Sequence, residues 1–276
     1  MSDEIIEKNS VLVQVLGQVS SQLRDSLGNI YNALEHVIPP EKRDVDQELD
    51  LNAAILCRSY YRVLRLTDNL SEVAGQSISC PPRLRNDDVV DFCEKLVSRA
   101  RLPAELLGLE LSFVCEKRDH IILMDRERLE LLGMNLLSNA FKFTPRGGRV
   151  IWEVRVEPRW VELRLTDTGC GIAPELLDTV FDRYLHAQRL DPPPHGLGLG
   201  LPICRLVARE HGGTILLTSQ PGQGTTVTVS LPNRRSRDPV LGTAIPTIVH
   251  PGGFNPTLLG LADALPREAF MQRYLD

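Results

Sequence analysis

The chain has 276 residues, of which 42% are hydrophobic and 24% charged, and its formal net charge is −5. This composition is typical of an ordinary soluble protein, and the acidic balance argues against a nucleic-acid-binding protein that neutralises phosphates. No apolar run approaches the roughly 18 residues needed to cross a bilayer, and the acidic N-terminus lacks the pattern of a secretory signal. The sequence therefore predicts a cytoplasmic protein of about two domains, without a membrane span.

The first 80 residues carry two helical patterns. Apolar residues recur every three or four positions from about residue 5 to 37 and again from about 47 to 75, with Pro39 and Pro40 between them. This spacing predicts two long helices that form a hairpin. Two helices alone leave apolar faces uncovered, so we expect residues 1–80 to pair with a second copy in a homodimeric four-helix bundle. Packing of the hairpin on the rest of its own chain is the alternative.

After Cys80-Pro81-Pro82, which indicates a linker, helical and strand patterns alternate. Helices are predicted at about 87–101, 125–143 and 201–211, and strands at about 110–115, 149–157, 161–165, 214–219 and 225–231. Several antiparallel strands with helices on one face predict an α/β sandwich over residues 83–232. Residues 233–276 are predicted to be an irregular tail, basic at first and then rich in Pro and Gly, with a short helix near residues 266–275.

Two amides and an ammonium group share one face of the predicted helix at 125–143. Asn135, Asn139 and Lys142 are spaced i, i+4 and i+7, so their side chains project from one side of that helix. Such groups can position a hydrated Mg²⁺ and phosphate oxygens, because Mg²⁺ takes few protein ligands and relies on phosphates and water. A solvated polar stripe is the alternative interpretation of this pattern.

Three glycine-containing motifs follow this helix. Asp167-Thr-Gly-Cys-Gly-Ile172 comes directly after a predicted strand; its carboxylate can accept a hydrogen bond from an exocyclic amine, and its glycines let a flat ring approach the backbone. Residues 196–201, Gly-Leu-Gly-Leu-Gly-Leu, precede a predicted helix, where free amides can bind phosphate. The last motif is Gly222-Gln-Gly-Thr225. Each motif alone is also explained by an ordinary turn.

In this order and at these separations, the four motifs resemble the ATP-binding catalytic domain of sensor histidine kinases, which belongs to the same ATPase superfamily as DNA gyrase. The resemblance covers residues 84–232. It implies an α+β protein, in which a two-helix hairpin that forms a dimeric four-helix bundle is followed by an α/β-sandwich ATPase domain of the histidine kinase/gyrase type. It also implies ATP and Mg²⁺ as cofactors and a role in two-component signal transduction or a phosphorelay.

The resemblance further implies roles for single residues. Asp167 would bind the adenine amine, and Asn139 would ligate Mg²⁺. Asn135 and Lys142 would contact the phosphates, and the glycines of residues 196–201 would act as the hinge of a lid. The ATP-binding residues that it implies are Asn135, Asn139, Lys142, Phe143, Asp167, Gly169, Gly171, Ile172, Gly196, Gly198, Gly200, Leu201 and Thr225.

One position bears on the reaction. Hydrolytic members of the superfamily have a glutamate where this chain has Asn135, and an amide cannot act as a general base near pH 7. The site is therefore expected to hold ATP for transfer of its γ-phosphate to a protein group rather than for hydrolysis.

The phosphoacceptor region departs from the family pattern. The first hairpin helix of the family carries a histidine followed by a glutamate, whereas this chain has Ser21 and Gln22. A serine hydroxyl needs a base, and Gln22 cannot supply one, so no catalytic residue is assigned. Asp25, one turn further on, is the only local candidate base. His36 is the only histidine in residues 1–80 of the sequence, and we interpret it as a surface residue.

Three functions stay open at this point. The chain could transfer phosphate from ATP to a protein group, such as a response regulator or another kinase subunit, without phosphorylating itself. It could be a catalytically silent, ATP-responsive dimeric scaffold that regulates a partner. It could be a serine kinase of the anti-sigma type, which the hairpin disfavours because that class lacks one.

Overall fold

The computed structural model describes residues 2–73, 81–177, 179–181, 198–236 and 255–274. The chain divides into two compact units, which we call the helical unit and the sheet unit. The helical unit comprises Met1–Pro81, Val249–Ala262 and Pro266–Asp276, and the sheet unit comprises Pro82–Ile248 and Asp263–Leu265. Among the described residues, no helix combines the length and the hydropathy that a membrane span requires.

The helical unit is built on a hairpin of two long helices. Helix α1 (Ser2–Val37) and helix α3 (Gln47–Val73) pack along each other, and the short helix α2 (Pro40–Arg43) lies in the turn between them. Proline is favourable in the first turn of α2, where its missing N–H is not needed. An ion pair joins the two long helices, with 2.7 Å between Arg24 Nη2 and Asp68 Oδ1. The two predicted hairpin helices are therefore present with bounds close to those expected.

We call the described residues 255–274 the C-terminal segment; its parts within the helical unit, 255–262 and 266–274, also contact α3. They form helix α8 (Pro256–Leu261) and two 3₁₀ turns, Arg267–Phe270 and Gln272–Tyr274. The Asn255 side chain caps α8 by accepting hydrogen bonds from the N–H groups of Thr257 and Leu258. The expectation of an irregular tail is thus wrong for this part, because Leu258 and Phe270 are buried and order it. The short helix expected near its end is replaced by the 3₁₀ turns.

The sheet unit contains a five-stranded sheet with the order β2-β4-β5-β7-β6. Its strands are β2 (Glu110–Cys115), β4 (Arg149–Val156), β5 (Trp160–Asp167), β6 (Thr214–Gln220) and β7 (Gly224–Pro232). All its pairs are antiparallel except β2–β4, which is parallel with Glu110 opposite Arg149. The expectation of antiparallel strands is corrected at this pair, since a helical crossover between β2 and β4 allows the parallel direction.

A two-stranded ribbon, β1 (Arg85–Asp88) with β3 (Ile121–Met124), was not predicted from the sequence. Strand β1 reads Arg-Asn-Asp-Asp, and Asn and Asp are depleted in strands. The ribbon leads into helix α4 (Val89–Leu107), whose N-terminus is capped by Asp88 Oδ1. The pairing with β3 therefore prevails over the local preference of the β1 residues.

Helices α4, α5 (Arg126–Phe143) and α7 (Gly200–Glu210) contact the sheet, and α5 contacts both of the other two. A shorter helix, α6 (Pro174–Leu177), follows β5. The alternating apolar residues of the central strands are buried, as the sequence predicts for a half-buried sheet. They are Val150, Trp152 and Val154 of β4 and Val161, Leu163 and Leu165 of β5. This core fixes the C-terminal end of β5, where Asp167 lies.

Candidate functional site

The Asp167 carboxylate is held at the end of β5 by two backbone donors. Its Oδ1 accepts hydrogen bonds from Gly169 N at 2.8 Å and from Thr225 N at 3.2 Å. No other described residue donates to this carboxylate, so Oδ2 is available to accept a bond from an outside donor. Asp167 therefore presents one oriented acceptor oxygen, which suits recognition of an exocyclic amine.

Burial raises the pKa of the Asp167 carboxyl above its ordinary value, and the hydrogen bonds from Gly169 and Thr225 oppose that shift. The direction shows that desolvation of the charged form outweighs two favourable hydrogen bonds. A partly buried carboxylate of this kind gains from any further donor that approaches it, because a hydrogen bond to a charged acceptor is stronger than one between neutral groups.

Ser219 ties the segments around Asp167 together. Its hydroxyl accepts a hydrogen bond from Ile172 N at 2.8 Å and donates to Gly224 O at 2.8 Å. The same oxygen lies 2.9 Å from Thr225 Oγ1. Ser219 thus joins the loop after β5 to the β6–β7 hairpin. Nothing in the sequence singles out this residue, because a serine within a strand pattern gives no signal of its own.

The glycines of the loop 167–172 are required by close backbone contacts. A Cβ on Gly169 would lie 2.6 Å from Phe143 O, which is too close for a side chain. Gly171 has φ +70°, in the left-handed region that favours glycine, and a Cβ there would collide with Gln220 O. The loop therefore packs closely between the end of α5 and the β6–β7 turn. This packing places the motifs at 135–143, 167–172 and 222–225 next to one another.

The polar residues of α5 differ in exposure. Asn135 is buried, and its Nδ2 donates to Leu131 O at 2.9 Å. Asn139 and Lys142 are half-buried, and Phe143 is exposed, with the Lys142 Nζ 5.5 Å from the centroid of its ring. No described residue hydrogen-bonds to the Asn139 amide. Asn139 therefore fits the role of an oxygen ligand to a cation better than Asn135 does.

Gly200, the first residue of α7, lies directly over this amide row. A Cβ on Gly200 would be 3.2 Å from Asn135 Oδ1 and 3.6 Å from Asn139 Nδ2. The residue before it, Leu199, makes no side-chain cap hydrogen bond to α7. The first N–H groups of a helix are donors suited to phosphate oxygens. The structure thus brings a helix N-terminus and the two amides together.

Other predicted residues take different places. Gly198 is exposed with φ +71°, and Leu201, Ile172 and Thr225 are half-buried. Gly196 lies outside the described residues. The described residues contain no group of three His, Cys, Asp or Glu side chains that could hold a metal ion. Asn139 as a single protein ligand would therefore hold Mg²⁺ together with nucleotide phosphates.

The predicted acceptor position is on the surface of the helical unit. Ser21, Gln22 and Asp25 are exposed on α1, and His36 is also exposed. The neighbouring Ser20 is fully buried instead. No described residue, Asp25 included, hydrogen-bonds to the Ser21 hydroxyl, so no described general base contacts it.

A family model described as "Histidine kinase-, DNA gyrase B-, and HSP90-like ATPase" matches residues 124–235. The sensor protein SrrB of Staphylococcus aureus is 30% identical over 222 residues, which cover 79% of this chain and 37% of SrrB. This chain therefore spans little more than a third of the length of such curated relatives.

Two solved structures share the fold. Full-length ShkA in complex with AMPPNP gives a TM-score of 0.65 at 21% identity, covering 82% of this chain and 47% of ShkA. The histidine kinase ThkA in complex with the response regulator TrrA gives a TM-score of 0.54 at 18% identity, covering 84% of this chain and 66% of the matched chain. The predicted α+β fold class, with N-terminal helices followed by a sheet-based ATPase domain, is confirmed.

Proposed function

Because this chain carries an ATP-binding domain of the sensor histidine kinase family, we propose that it binds Mg-ATP and transfers the γ-phosphate to a protein group in two-component signalling. The observation that carries the proposal is the Asp167 carboxylate. Its Oδ1 is fixed by Gly169 N and Thr225 N, and its Oδ2 can accept the adenine amine.

The α5 and α7 residues would hold the rest of the nucleotide. Asn139 would contribute one oxygen to Mg²⁺, which neutralises phosphate charge when it is bound. Lys142 and the N–H groups that begin at Gly200 would contact phosphate oxygens. Gly196, Gly198 and Leu201 would complete the set on the α7 side. Phe143, Gly171 and Ile172 would shape the site next to Asp167.

Transfer fits these groups better than hydrolysis does. Asn135 is buried, and its neutral amide is too weak a base to take a proton from water near pH 7. In transfer, a nucleophile of the acceptor forms a bond to the γ-phosphorus while the bond to the β–γ bridging oxygen breaks and ADP leaves. The domain would position the phosphates for that step, and the acceptor would bring its own base.

We place the acceptor on another protein group rather than on Ser21. The Ser21 hydroxyl has no described base beside it, and a serine nucleophile needs one. A response regulator is one candidate, as in the solved ThkA–TrrA complex, and a second kinase subunit is another.

The helical unit would pair with its own copy, which would make the chain a homodimer.

The same exposed Ser21 also favours a second candidate, a catalytically silent dimer that changes shape with ATP and regulates a partner. This candidate shares the ATP site and differs only in the absence of covalent transfer. Incubation with γ-labelled ATP and Mg²⁺, alone and with candidate response regulators, separates the two. Label on any protein supports transfer, and nucleotide binding without label supports the scaffold.

The Asp167→Asn variant tests the ATP site. Burial disfavours the charge of Asp167, so a neutral amide of the same shape should not weaken the fold. The new amide would either direct an N–H group at the adenine amine or replace a charged hydrogen bond, worth about 1.5–3 kcal/mol, by a neutral one. The Kd for Mg-ATP should therefore rise at least about tenfold. Calorimetric titration measures the Kd.

The matched control is Asp119→Asn, which removes an exposed carboxylate of the sheet unit. It should bind Mg-ATP like the wild type, and both variants should keep the wild-type Tm without nucleotide. An unchanged Kd in folded Asp167→Asn would refute the assignment of Asp167.

A further inference from the structure

The C-terminal segment contributes to a buried ion pair of the helical unit. Arg43 Nε and Asp50 Oδ1 are 2.9 Å apart, and their side chains are only 1% and 8% exposed. The segment supplies two further hydrogen bonds to this pair, because Arg43 Nη2 donates to Phe270 O at 2.8 Å and Gln272 N donates to Asp50 Oδ1 at 3.0 Å. A buried ion pair is stable only when its other hydrogen-bonding groups are satisfied. The hairpin and the segment therefore satisfy these groups together.

An aromatic contact reinforces the attachment. Phe270 is fully buried, with its ring centroid 5.5 Å from that of Tyr61. Tyr61 in turn lies within the ring cluster that joins α1 and α3, 6.4 Å from Tyr31. At the other end of the segment, Asn255 N donates to Tyr61 Oη at 3.2 Å. The segment thus extends the hairpin core with one aromatic anchor and polar contacts at both ends.

The segment occupies a different face of α3 from the apolar residues that stay exposed. Asp50 and Tyr61 are buried, whereas Leu56 and Val63 are 52% and 42% exposed. Binding of the segment and pairing with a second copy of the chain therefore need not compete for the same α3 residues.

We propose that the C-terminal segment is a cis-acting clasp, a chain-internal ligand that binds the hairpin and thereby anchors the sheet unit at both of its ends. The order along the chain requires this consequence, because residues 82–236 lie between the hairpin and the segment. Release of the clasp would remove the attachment at the C-terminal side of the sheet unit and keep the covalent connection after α3. This role rests on the proposed function, in which the ATP-binding domain must reach an acceptor. Attachment through the C-terminal segment would limit the distance over which that domain can move.

The first test asks whether the segment binds the hairpin without its covalent connection. A site-specific protease sequence is placed within residues 237–254 of the full chain, and the cleaved protein is passed through gel filtration at micromolar concentration. Before cleavage the connection holds the segment at an effective concentration of about millimolar, and cleavage removes that advantage. The wild-type segment should still co-elute with the rest of the chain. Separation of the two fragments would overturn the clasp.

Two variants and their controls test the named contacts. Asp50→Ala and Phe270→Ala should each release the cleaved segment, whereas the variants of exposed neighbours, Glu48→Ala and Arg273→Ala, should retain it. Circular dichroism of the uncleaved proteins shows whether the hairpin helices persist. Retention of the segment in folded Asp50→Ala and Phe270→Ala would overturn the assignment of these contacts.

The second test measures the anchoring itself in the uncleaved chain. Small-angle scattering should give a larger radius of gyration for Asp50→Ala than for Glu48→Ala, and the Kd for Mg-ATP should be equal in both. An equal radius of gyration would overturn the anchoring role. Failure of both proteins to bind ATP would instead count against the proposed function, and the scattering result would still decide the clasp.

Discussion

Gly200 and Asn135 approach so closely that a Cβ on Gly200 would lie 3.2 Å from the Asn135 Oδ1 atom. Asn135 cannot easily move away, because it is buried and bonded to Leu131 O. The first turn of α7 and the amides of α5 are therefore matched in shape, and the size of residue 200 sets how near the phosphate donors come to Asn139.

The Gly200→Ala variant is expected to bind Mg-ATP several-fold more weakly than the wild type. Overpacking at a tight contact costs about 1–3 kcal/mol, and the displaced atoms here are those proposed to position phosphate and Mg²⁺. Titration with Mg-ATP gives the Kd. The control is Gly28→Ala, where a Cβ meets nothing within 4 Å, and it should leave the Kd unchanged. Wild-type affinity in Gly200→Ala would contradict the proposed closeness of the two elements to the nucleotide.

The stability of the sheet unit should fall in mild acid because of His211. This side chain is 2% exposed; its Nε2 accepts from Asp125 N at 3.0 Å and its Nδ1 donates to Val207 O at 2.8 Å. Burial lowers its pKa below the ordinary 6.5, so the folded state binds fewer protons than the unfolded one. The contribution of neutral His211 to the free energy of unfolding is complete above pH 6.5. It is lost as the pH falls towards the pKa of the folded state, by up to about 1.4 kcal/mol per pH unit.

Tryptophan fluorescence follows this unfolding, because both tryptophans of the chain, Trp152 and Trp160, lie in the sheet unit. Urea denaturation at pH 7.5 and 5.5 should show the loss in the wild type and a smaller loss in His211→Gln. The exposed His36→Gln variant should behave like the wild type. An equal loss in His211→Gln and wild type would argue against His211 as the source.

The full chain is expected to form a homodimer through the helical unit. Val19 and Leu23 of α1 are each 42% exposed, and both lie on an apolar stripe at helical spacing. Leu56 of α3 adds a further exposed apolar side chain. Sedimentation at tens of micromolar should give a dimer for the wild type and for Gln18→Glu, and a monomer for the double variant Val19→Glu/Leu23→Glu. A monomeric wild type would show that this stripe does not pair.

Ser21 is expected to take no phosphate from ATP. Its hydroxyl is protonated near pH 7, and general-base assistance contributes about 10²- to 10⁴-fold, which Gln22 cannot provide. With γ-labelled ATP the wild type should show no label on α1. The double variant Ser21→His/Gln22→Glu should gain an acid-labile, base-stable label if the ATP-binding domain is competent for transfer. Label on wild-type Ser21 would disprove the prediction, whereas an unlabelled double variant that binds ATP would favour the scaffold.

The local pattern of the sequence determined most elements of this protein. The 3.6-residue period identified α1 and α3, the alternation of apolar residues identified β4 and β5, and the glycines of 167–172 identified a turn after β5. These features depend on short-range steric effects and on burial of one face of an element, and both can be predicted from residues that are close in the sequence.

Only the tertiary structure decided which distant groups meet. The Ser219 contacts with Ile172 and Gly224, the parallel pairing of β2 with β4, and the approach of Gly200 to Asn135 all join positions far apart in the chain. The clearest case is the C-terminal segment, which composition suggested to be irregular. It is ordered because Leu258 and Phe270 are buried and because the backbone of Phe270 and Gln272 forms hydrogen bonds with the buried pair of Arg43 and Asp50. Such mutual satisfaction of buried polar groups is a property of the folded chain and leaves no local pattern in the sequence.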